Sequence, residues 1–141
     1  MKAQSEQIPR FGAKPRILVI DDEPELSRLL LTVLKRNGFE ACAASTGTDG
    51  LRLSGEQNYD LILCDIDLPD IDGFEICRRI KQSPKLRPIP IILMSGRLAE
   101  GNEAMALKLG AVDFVSKPFG VEILLSKMSG HIRGVERRTL V

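Results

Sequence analysis

The sequence predicts a doubly wound α/β domain in which helices cover both faces of a parallel sheet. Five short apolar runs alternate with five stretches of helical periodicity along the chain. Three of the runs are continuously apolar, which is typical of parallel strands that are buried on both faces. The length of 141 residues suits one such domain with short tails.

The first strand and the first helix have the clearest signals. An apolar strand is predicted over 17–20, and it ends at the acidic pair Asp21 and Asp22. A helix is predicted over 23–37, because leucine and valine recur there at helical spacing and Gly38 is a typical stop signal.

The apolar face of this first helix is assigned to Leu26, Leu29, Leu30 and Val33. Leu31 falls outside that stripe, and two interpretations remain open for it. It is either an isolated exposed leucine, which is common on protein surfaces, or part of a docking patch for a partner protein.

The second strand and the second helix have weaker signals. Residues 40–44 form an alanine-rich strand, and 48–55 form a short helix. Gly50 lies inside this helix, where glycine costs about 1 kcal/mol relative to alanine. Local preference alone therefore gives this helix little stability.

The remaining three pairs repeat the pattern of the first pair. Each strand is an apolar run that leads into polar residues, and each helix is followed by glycine or by serine and proline. These predicted elements are strand 60–64, helix 73–82, strand 90–94, helix 99–109, strand 112–115 and helix 121–129.

Composition excludes several classes of protein. Apolar residues make up 43% of the chain and charged residues 28%, which is unlike a disordered or collagen-like chain. No window approaches about eighteen apolar residues, and the N-terminus lacks the apolar stretch of a secretory signal, so no membrane association is expected. Three cysteines without CxxC spacing favour a reducing compartment, the cytoplasm, and no metal or disulfide role.

Charge is unevenly distributed, although the net charge is only +1. Residues 17–126 hold twelve basic and seventeen acidic residues, whereas both ends of the chain are basic. An acidic centre is not the usual footprint of a nucleic-acid-binding protein, so direct nucleic-acid binding is not expected. Excess carboxylate indicates a cation site instead.

Polar side chains lie at the ends of four predicted strands. Asp21 and Asp22, Asp65, Ser95 and Lys117 each come just past an apolar run. In an open α/β sheet the carboxyl ends of the strands form one crevice, and ligands bind there. The sequence therefore predicts three carboxylates, a hydroxyl and an ammonium group in one place.

This set of groups suits phosphoryl transfer. Crowded carboxylates repel one another unless a cation joins them, and Mg²⁺, or Mn²⁺ in its place, prefers oxygen ligands. Lys117 can neutralise a phosphate-like oxygen, and Ser95 can donate a hydrogen bond to the same group. A carboxylate between a divalent metal and an ammonium group can act as a nucleophile toward phosphorus.

The motifs form a specific combination, and they occur in this order: Asp21-Asp22-Glu23-Pro24, Asp65-Ile66-Asp67-Leu68-Pro69 with Gly73, Met94-Ser95-Gly96, Gly110-Ala111 with Asp113-Phe114, and Lys117-Pro118-Phe119. In this combination the chain resembles the receiver domains of two-component response regulators, such as the chemotaxis response regulators. The resemblance runs from about residue 16 to residue 133. It implies a flavodoxin-like (βα)5 fold with strand order 2-1-3-4-5.

The resemblance also implies roles for the acidic residues. Asp65 would be the phosphoacceptor, which takes a phosphoryl group from a phosphohistidine on a partner. Asp21 and Asp22 would be Mg²⁺ ligands together with Asp65, and the backbone carbonyl of Asp67 would be a further ligand. The side chains of Asp67 and Arg97 would flank the path of the attacking water and tune the lifetime of the aspartyl phosphate.

Further residues would respond to phosphorylation. Ser95 resembles the switch hydroxyl that moves toward the phosphoryl group, and Phe114 stands where the family has its rotameric aromatic. Lys117 resembles the phosphoryl-binding lysine, and a cis peptide bond is implied at Pro118, where cis is least costly. The protein would catalyse its own phosphorylation and dephosphorylation rather than act as a conventional enzyme.

The resemblance divides the chain into a flexible tail over 1–15, a receiver domain over 16–133 and a C-terminal tail or linker stub over 134–141. The expected partner is a histidine kinase or a histidine phosphotransfer protein, with a possible downstream effector protein or domain. No direct nucleic-acid binding and no membrane contact are expected of this domain, and its expected location is the cytoplasm.

Two alternatives remain open. Asp65 and Asp67 look like the paired aspartates of Mg²⁺-dependent phosphatases of the haloacid-dehalogenase type. In that family the nucleophile follows the first strand, whereas here an acidic pair comes first, and the chain lacks a cap domain for a substrate. The other alternative is a receiver-like binding module without phosphorylation, against which the intact Asp65 and Lys117 argue.

Overall fold

The computed structural model describes residues 13–97 and 101–132. Residues 1–12, 98–100 and 133–141, which include most of both predicted tails, lie outside the described part. The strands are β1 (Arg16–Ile20), β2 (Glu40–Ala44), β3 (Leu61–Asp65), β4 (Ile91–Ser95) and β5 (Asp113–Ser116). The helices are α1 (Pro24–Arg36), α2 (Gly47–Glu56), α3 (Gly73–Gln82), α4 (Asn102–Lys108) and α5 (Val121–Ser129).

The five strands form one parallel sheet in the order β2-β1-β3-β4-β5. The predicted fold class and strand order are therefore confirmed. The chain order reverses beside β1, because β2 lies on one side of it and β3 on the other. The crevice at the carboxyl ends of β1 and β3 is the position where such folds bind ligands.

Two apolar clusters cover the two faces of the sheet. Ile17 and Val19 point to the side of α1 and α5, whereas Leu18 and Ile20 point to the opposite side, with α3 and α4. All four side chains are fully buried, as expected for a central parallel strand. The sheet edge that bears the polar residues is thus fixed by packing on both faces.

The predicted apolar face of α1 is wrong in its helical phase. Leu29 is 52% exposed, whereas Leu30 and Leu34 are fully buried and Leu31 packs against the same core cluster. Leu31 is therefore not an isolated exposed leucine, and its part in a docking patch stays a prediction. The remaining core position of this helix is Ser27, whose hydroxyl donates to the backbone oxygen of Asp21 at 3.2 Å.

Several predicted boundaries shift by a few residues. Asp65 and Ser95 are the last residues of β3 and β4 rather than the first residues after them. The ladder continues past Asp65, since Ile66 donates its backbone N–H to Met94 at 2.8 Å. Helix α4 covers 102–108, and residues 99 and 100 of its predicted range 99–109 lie outside the described part.

The glycine inside α2 has a packing reason. A Cβ atom added at Gly50 would lie 2.5 Å from Cδ1 of the buried Ile20. The helix therefore approaches β1 more closely than alanine permits, and the loss of intrinsic helix preference is offset by this contact. Among the described residues, none of the helices has the length and apolar character needed to cross a bilayer.

Candidate functional site

Three carboxylates meet at the carboxyl ends of β1 and β3. Carboxylate oxygens of Asp21, Asp22 and Asp65 lie within 4.8 Å of one another. Asp21 and Asp65 are almost fully buried, with 1% and 2% exposure, whereas Asp22 is exposed. We call this group the acidic pocket. It combines two fixed interior carboxylates with one at its mouth.

Lys117 joins the acidic pocket from the end of β5. Its Nζ donates to Asp21 Oδ2 at 2.7 Å, to Glu23 Oε1 at 2.8 Å and to Asp65 Oδ2 at 3.1 Å. Its backbone N–H donates to the backbone oxygen of Ser95 at 2.7 Å, and the peptide bond between Lys117 and Pro118 is cis. The predicted grouping of Asp21, Asp65 and Lys117 is present in the structure.

Burial and charge act in opposite directions on the pocket residues. Burial raises the pKa of Asp65 above its usual value, although the backbone N–H of Asp67 and the ammonium of Lys117 oppose the shift. Burial also disfavours the charged form of Lys117, but hydrogen bonds to Asp21 and Glu23 outweigh it and raise its pKa. Lys117 is therefore an ammonium group at neutral pH.

The donor set of the acidic pocket fits Mg²⁺ or Mn²⁺. Both ions prefer oxygen ligands, and Mg²⁺ commonly binds one or two carboxylates together with waters and a phosphate oxygen. Lys117 neutralises only part of the charge of the surrounding carboxylates. The exposed carboxylate of Asp22 offers a ligand at the side that solvent reaches.

Asp67 and Arg97 form an ion pair beside Asp65. Arg97 donates to Asp67 Oδ1 from Nε at 3.0 Å and from Nη2 at 2.5 Å. The two opposite charges are therefore paired, at an exposed rim where the Arg97 side chain is 77% accessible. Its effect on the lifetime of a phosphoryl group stays a prediction.

The same ion pair contacts the switch candidate. The Ser95 hydroxyl lies 3.4 Å from Asp67 Oδ2, and it accepts a hydrogen bond from the Arg97 backbone N–H at 3.1 Å. Ser95 itself is 1% exposed. The hydroxyl at the end of β4 is thus held by the Asp67 carboxylate and by the backbone of Arg97.

Phe114 lies on β5, opposite Leu93 of β4. Its side chain is partly buried and packs against the apolar cluster that includes Leu93 and Ala106. The structure thus places Phe114 on β5 beside β4, and its role as the rotameric aromatic stays a prediction.

Two further carboxylates make contacts that the sequence does not predict. Glu23, which stands in the sequence only as part of a motif, is one of the three partners of Lys117. Asp70 was not singled out, although its carboxylate binds the first turn of α2. The acidic run Asp21-Asp22-Glu23 was the only available signal for Glu23, and no local pattern indicates the partner of Asp70.

Comparison with known proteins assigns the family. The family model described as the response regulator receiver domain matches residues 17–129. The chain belongs to the response regulator receiver family. Two-component signalling domains of this family accept phosphoryl groups, interact with histidine kinases and effector domains, and generally bind Mg²⁺ at an acidic pocket. This receiver domain has such an acidic cluster, formed by Asp21, Asp22 and Asp65.

Two transcriptional regulatory proteins are among its relatives. AfsQ1 of Streptomyces coelicolor is 38% identical over 125 residues, which make up 89% of this chain and 54% of AfsQ1. GltR of Pseudomonas aeruginosa is 37% identical over 117 residues, which make up 83% of this chain and 48% of GltR. The receiver domain described here spans about half the length of these curated relatives.

Solved structures of receiver domains have the same fold. A CheY-like receiver domain protein from Methanospirillum hungatei has a TM-score of 0.81 and 26% identity, covering 89% of this chain and 99% of that one. The signal receiver domain of a histidine kinase from Syntrophus aciditrophicus has a TM-score of 0.79 and 31% identity, covering 87% and 93%. These comparisons support the receiver function and give no support to the phosphatase alternative.

Proposed function

We propose that this receiver domain takes a phosphoryl group onto Asp65 from the phosphohistidine of a histidine kinase or a histidine phosphotransfer protein. The observation that supports the proposal most strongly is the arrangement around Asp65. Its buried carboxylate lies beside the acidic pair at the end of β1 and accepts a hydrogen bond from the Lys117 ammonium at 3.1 Å. The carboxylates of such a site attract a cation, and the Lys117 ammonium stabilises the negative charge of a new phosphoryl group.

In the proposed step, a carboxylate oxygen of Asp65 attacks the phosphorus of the donor. The new oxygen–phosphorus bond forms as the nitrogen–phosphorus bond breaks, and the electron pair returns to the imidazole, which takes up a proton. A Mg²⁺ bound by Asp21, Asp22, Asp65 and the Asp67 carbonyl would neutralise charge on the transferred oxygens. Lys117 supplies the second positive charge from the end of β5.

The phosphorylated state then recruits Ser95. The new phosphoryl oxygens offer its hydroxyl a charge-assisted hydrogen bond, which is stronger than its present 3.4 Å contact with Asp67. Movement of Ser95 vacates space that Phe114 can enter, so the surface formed by α4, β5 and α5 changes. This surface would transmit the signal to an effector.

We expect Phe114 to populate its inward position even before phosphorylation. Phenylalanine lacks a hydroxyl, so moving inward gives up no exposed hydrogen bond, and the ring already packs against the apolar cluster. Relaxation-dispersion NMR on the ring of the unphosphorylated protein should detect exchange between two positions. Phe114→Tyr, with a hydroxyl that prefers water, should reduce the inward population. A wild-type ring found solely outward would contradict the expectation.

We expect Arg97→Ala to shorten the lifetime of the aspartyl phosphate by about two- to tenfold. Hydrolysis needs a water in line with the phosphorus, opposite the Asp65 oxygen. The pair of Arg97 and Asp67 occupies the rim of that path, with atoms 2.5 Å and 3.0 Å apart. The measurement is the loss of phosphate from purified phosphoprotein in Mg²⁺ buffer.

Arg52→Ala is the matched control for this lifetime experiment. Arg52 is also an exposed arginine, and it forms ion pairs with Glu56 and Asp49 on α2, away from the acidic pocket. The control should keep the wild-type lifetime. If Arg97→Ala also keeps it, or lengthens it, the shielding role of the pair is wrong.

Incubation with acetyl phosphate and Mg²⁺ tests the proposed function as a whole. A stable adduct with the mass of one phosphoryl group, located on Asp65 by peptide mapping, supports the receiver function. Continuous turnover of many phosphate esters would support the phosphatase alternative instead. No reaction under conditions that bind Mg²⁺ would support a binding module without phosphorylation.

We further propose that residues 16–133 form the signalling unit and that residues 134–141 are a C-terminal tail or a linker stub. Two relatives are named transcriptional regulatory proteins and extend well beyond the matched region. An effector that acts in transcription is consistent with these relatives. Action in the cytoplasm, with a histidine kinase as the phosphodonor, completes the proposal.

A further inference from the structure

The carboxylate of Asp70 joins the loop after β3 to the beginning of α2. Asp70 Oδ1 accepts the Gly47 backbone N–H at 2.8 Å, and Oδ2 accepts the Thr48 backbone N–H at 2.8 Å. Oδ2 also accepts the Thr48 hydroxyl at 2.6 Å. These donors, with the Thr48 hydroxyl first, hold the pKa of Asp70 well below its usual range. The carboxylate is therefore charged over the whole physiological pH range.

This contact is more than the ordinary cap of a helix. The N-cap residue of α2 is Thr46, whose hydroxyl oxygen accepts the Asp49 backbone N–H at 3.1 Å. The other two amides of the first turn, those of Gly47 and Thr48, donate to Asp70, which lies 23 and 22 residues further along the chain. The charge also complements the positive end of the helix dipole.

The loop and α2 are in close contact at this point. A Cβ atom added at Gly47 would lie 3.0 Å from both Cβ and the backbone oxygen of Ile71 and 2.9 Å from Cδ1 of Ile76. Glycine therefore permits a close approach where the first turn of α2 meets the residue after Asp70. The position of the loop depends on that of α2, and the reverse is equally true.

The other end of the loop is anchored to α3. Asp72 is the N-cap of α3 and accepts the Glu75 backbone N–H at 2.9 Å, and Gly73 donates to the Ile66 oxygen at 2.9 Å. The loop over 66–72 thus leaves β3 at Asp65 and is fixed again by Asp70 and Asp72. Between these anchors lies Asp67, whose backbone N–H donates to Asp65 Oδ1 at 3.1 Å.

We infer that Asp70 is a positioning residue for the acidic pocket. Its carboxylate holds the 66–72 loop against α2, and the loop in turn keeps the Asp67 backbone beside Asp65. The inference rests on the proposed function, since it gives the Asp67 carbonyl a role in binding Mg²⁺. Loss of the Asp70 carboxylate would release the loop from α2 while the β3 ladder and the Asp72 cap remain. The loop would then sample positions in which the Asp67 backbone no longer faces the pocket.

Mg²⁺ binding to the unphosphorylated chain, measured by isothermal titration calorimetry, tests the inference. Asp70→Ala should lower the affinity about tenfold, the size of effect that outer-shell partners of metal ligands have elsewhere. Asp70→Asn, which keeps one oxygen acceptor, and Thr48→Val, which removes only the hydroxyl donor, should fall between wild type and Asp70→Ala. Asp49→Ala is the matched control, because it removes an exposed carboxylate from the same helical turn without touching the loop.

Hydrogen exchange of the metal-free chain gives a second readout. The backbone amides of Asp67 and Leu68 donate to Asp65 Oδ1 and to the Ile66 oxygen, and they should exchange faster in Asp70→Ala. Amides in β1 and β3 should exchange as in wild type, which separates release of the loop from general destabilisation. Urea unfolding of each variant provides the global stability for this comparison.

The outcomes separate the inference from the proposed function. Asp70→Ala with wild-type Mg²⁺ affinity, or with an affinity no lower than that of Asp49→Ala, would overturn the role of Asp70. A wild-type chain that binds no Mg²⁺ would contradict the proposed function. Hydrogen exchange in the metal-free chain would then test the role of Asp70 by itself, and unchanged exchange at residues 67 and 68 in Asp70→Ala would overturn that role.

Discussion

Asp65→Asn is expected to lower labelling by acetyl phosphate in Mg²⁺ buffer by at least about a hundredfold. The amide keeps the shape of the side chain but removes the anionic oxygen that attacks phosphorus. Because burial raises the pKa of Asp65, its charge opposes folding at neutral pH, and the neutral amide removes that cost. The variant should therefore be folded and at least as stable as wild type in urea unfolding at pH 7.

The measurement for Asp65→Asn is phosphoryl incorporation, followed by intact-protein mass spectrometry after short incubation. Asp49→Asn is the control, since it changes a half-exposed aspartate outside the acidic pocket in the same way. Full labelling of Asp65→Asn under matched conditions would mean that another residue is the nucleophile. Exposed Asp22 would then be the first position to map.

The location of the pocket was predictable because its residues lie at strand ends. Strongly apolar runs mark β1, β3 and β4, and each leads into a polar residue that has no role in a buried sheet interior. Parallel strands place all their carboxyl ends at one edge, so local patterns suffice to bring distant residues together. Strand ends therefore predict that Asp21, Asp65 and Lys117 lie together, and Lys117 contacts both aspartates in the structure.

The phase of α1 was not predictable from apolar spacing alone. Three consecutive leucines occupy positions 29–31, so the run fits more than one helical stripe. The true core face includes Ser27, a polar residue that is buried because its hydroxyl donates to the backbone oxygen of Asp21. A polar residue on the core face removed the signal that would have distinguished the stripes.

Long-range polar contacts were equally hidden from the sequence. Glu23 and Lys117 are 94 positions apart, and Asp70 lies 22 and 23 positions from its partners in α2. Their pairing depends on how closely helices and loops approach at the sheet edge, as at Gly47 and Ile71. Periodicity describes which face is apolar, but it contains no information on these distances.

The contacts of Lys117 determine which acidic residue gives the cleanest test of metal binding. Asp21 accepts hydrogen bonds from the Lys117 ammonium at 2.7 Å and from the Glu23 backbone N–H at 2.8 Å. Substituting Asp21 would therefore disturb the ammonium and the entry to α1 as well as the metal ligands. Asp22 is exposed, and its carboxylate oxygen lies within 4.8 Å of those of Asp21 and Asp65.

Asp22→Ala is accordingly expected to lower both Mg²⁺ affinity and the initial rate of labelling by acetyl phosphate by about ten- to a hundredfold. Removing one carboxylate lowers the negative potential that attracts the cation, while Lys117 keeps its contacts with Asp21 and Asp65. Calorimetric titration and labelling over a range of Mg²⁺ concentrations separate the two effects. High Mg²⁺ should restore much of the rate, because Asp65 itself is intact.

Glu25→Ala is the matched control, because it removes an exposed carboxylate from the first turn of α1. It should leave both the Mg²⁺ affinity and the labelling rate near wild type. Labelling of Asp22→Ala at the wild-type rate and with the wild-type Mg²⁺ dependence would exclude Asp22 as a ligand.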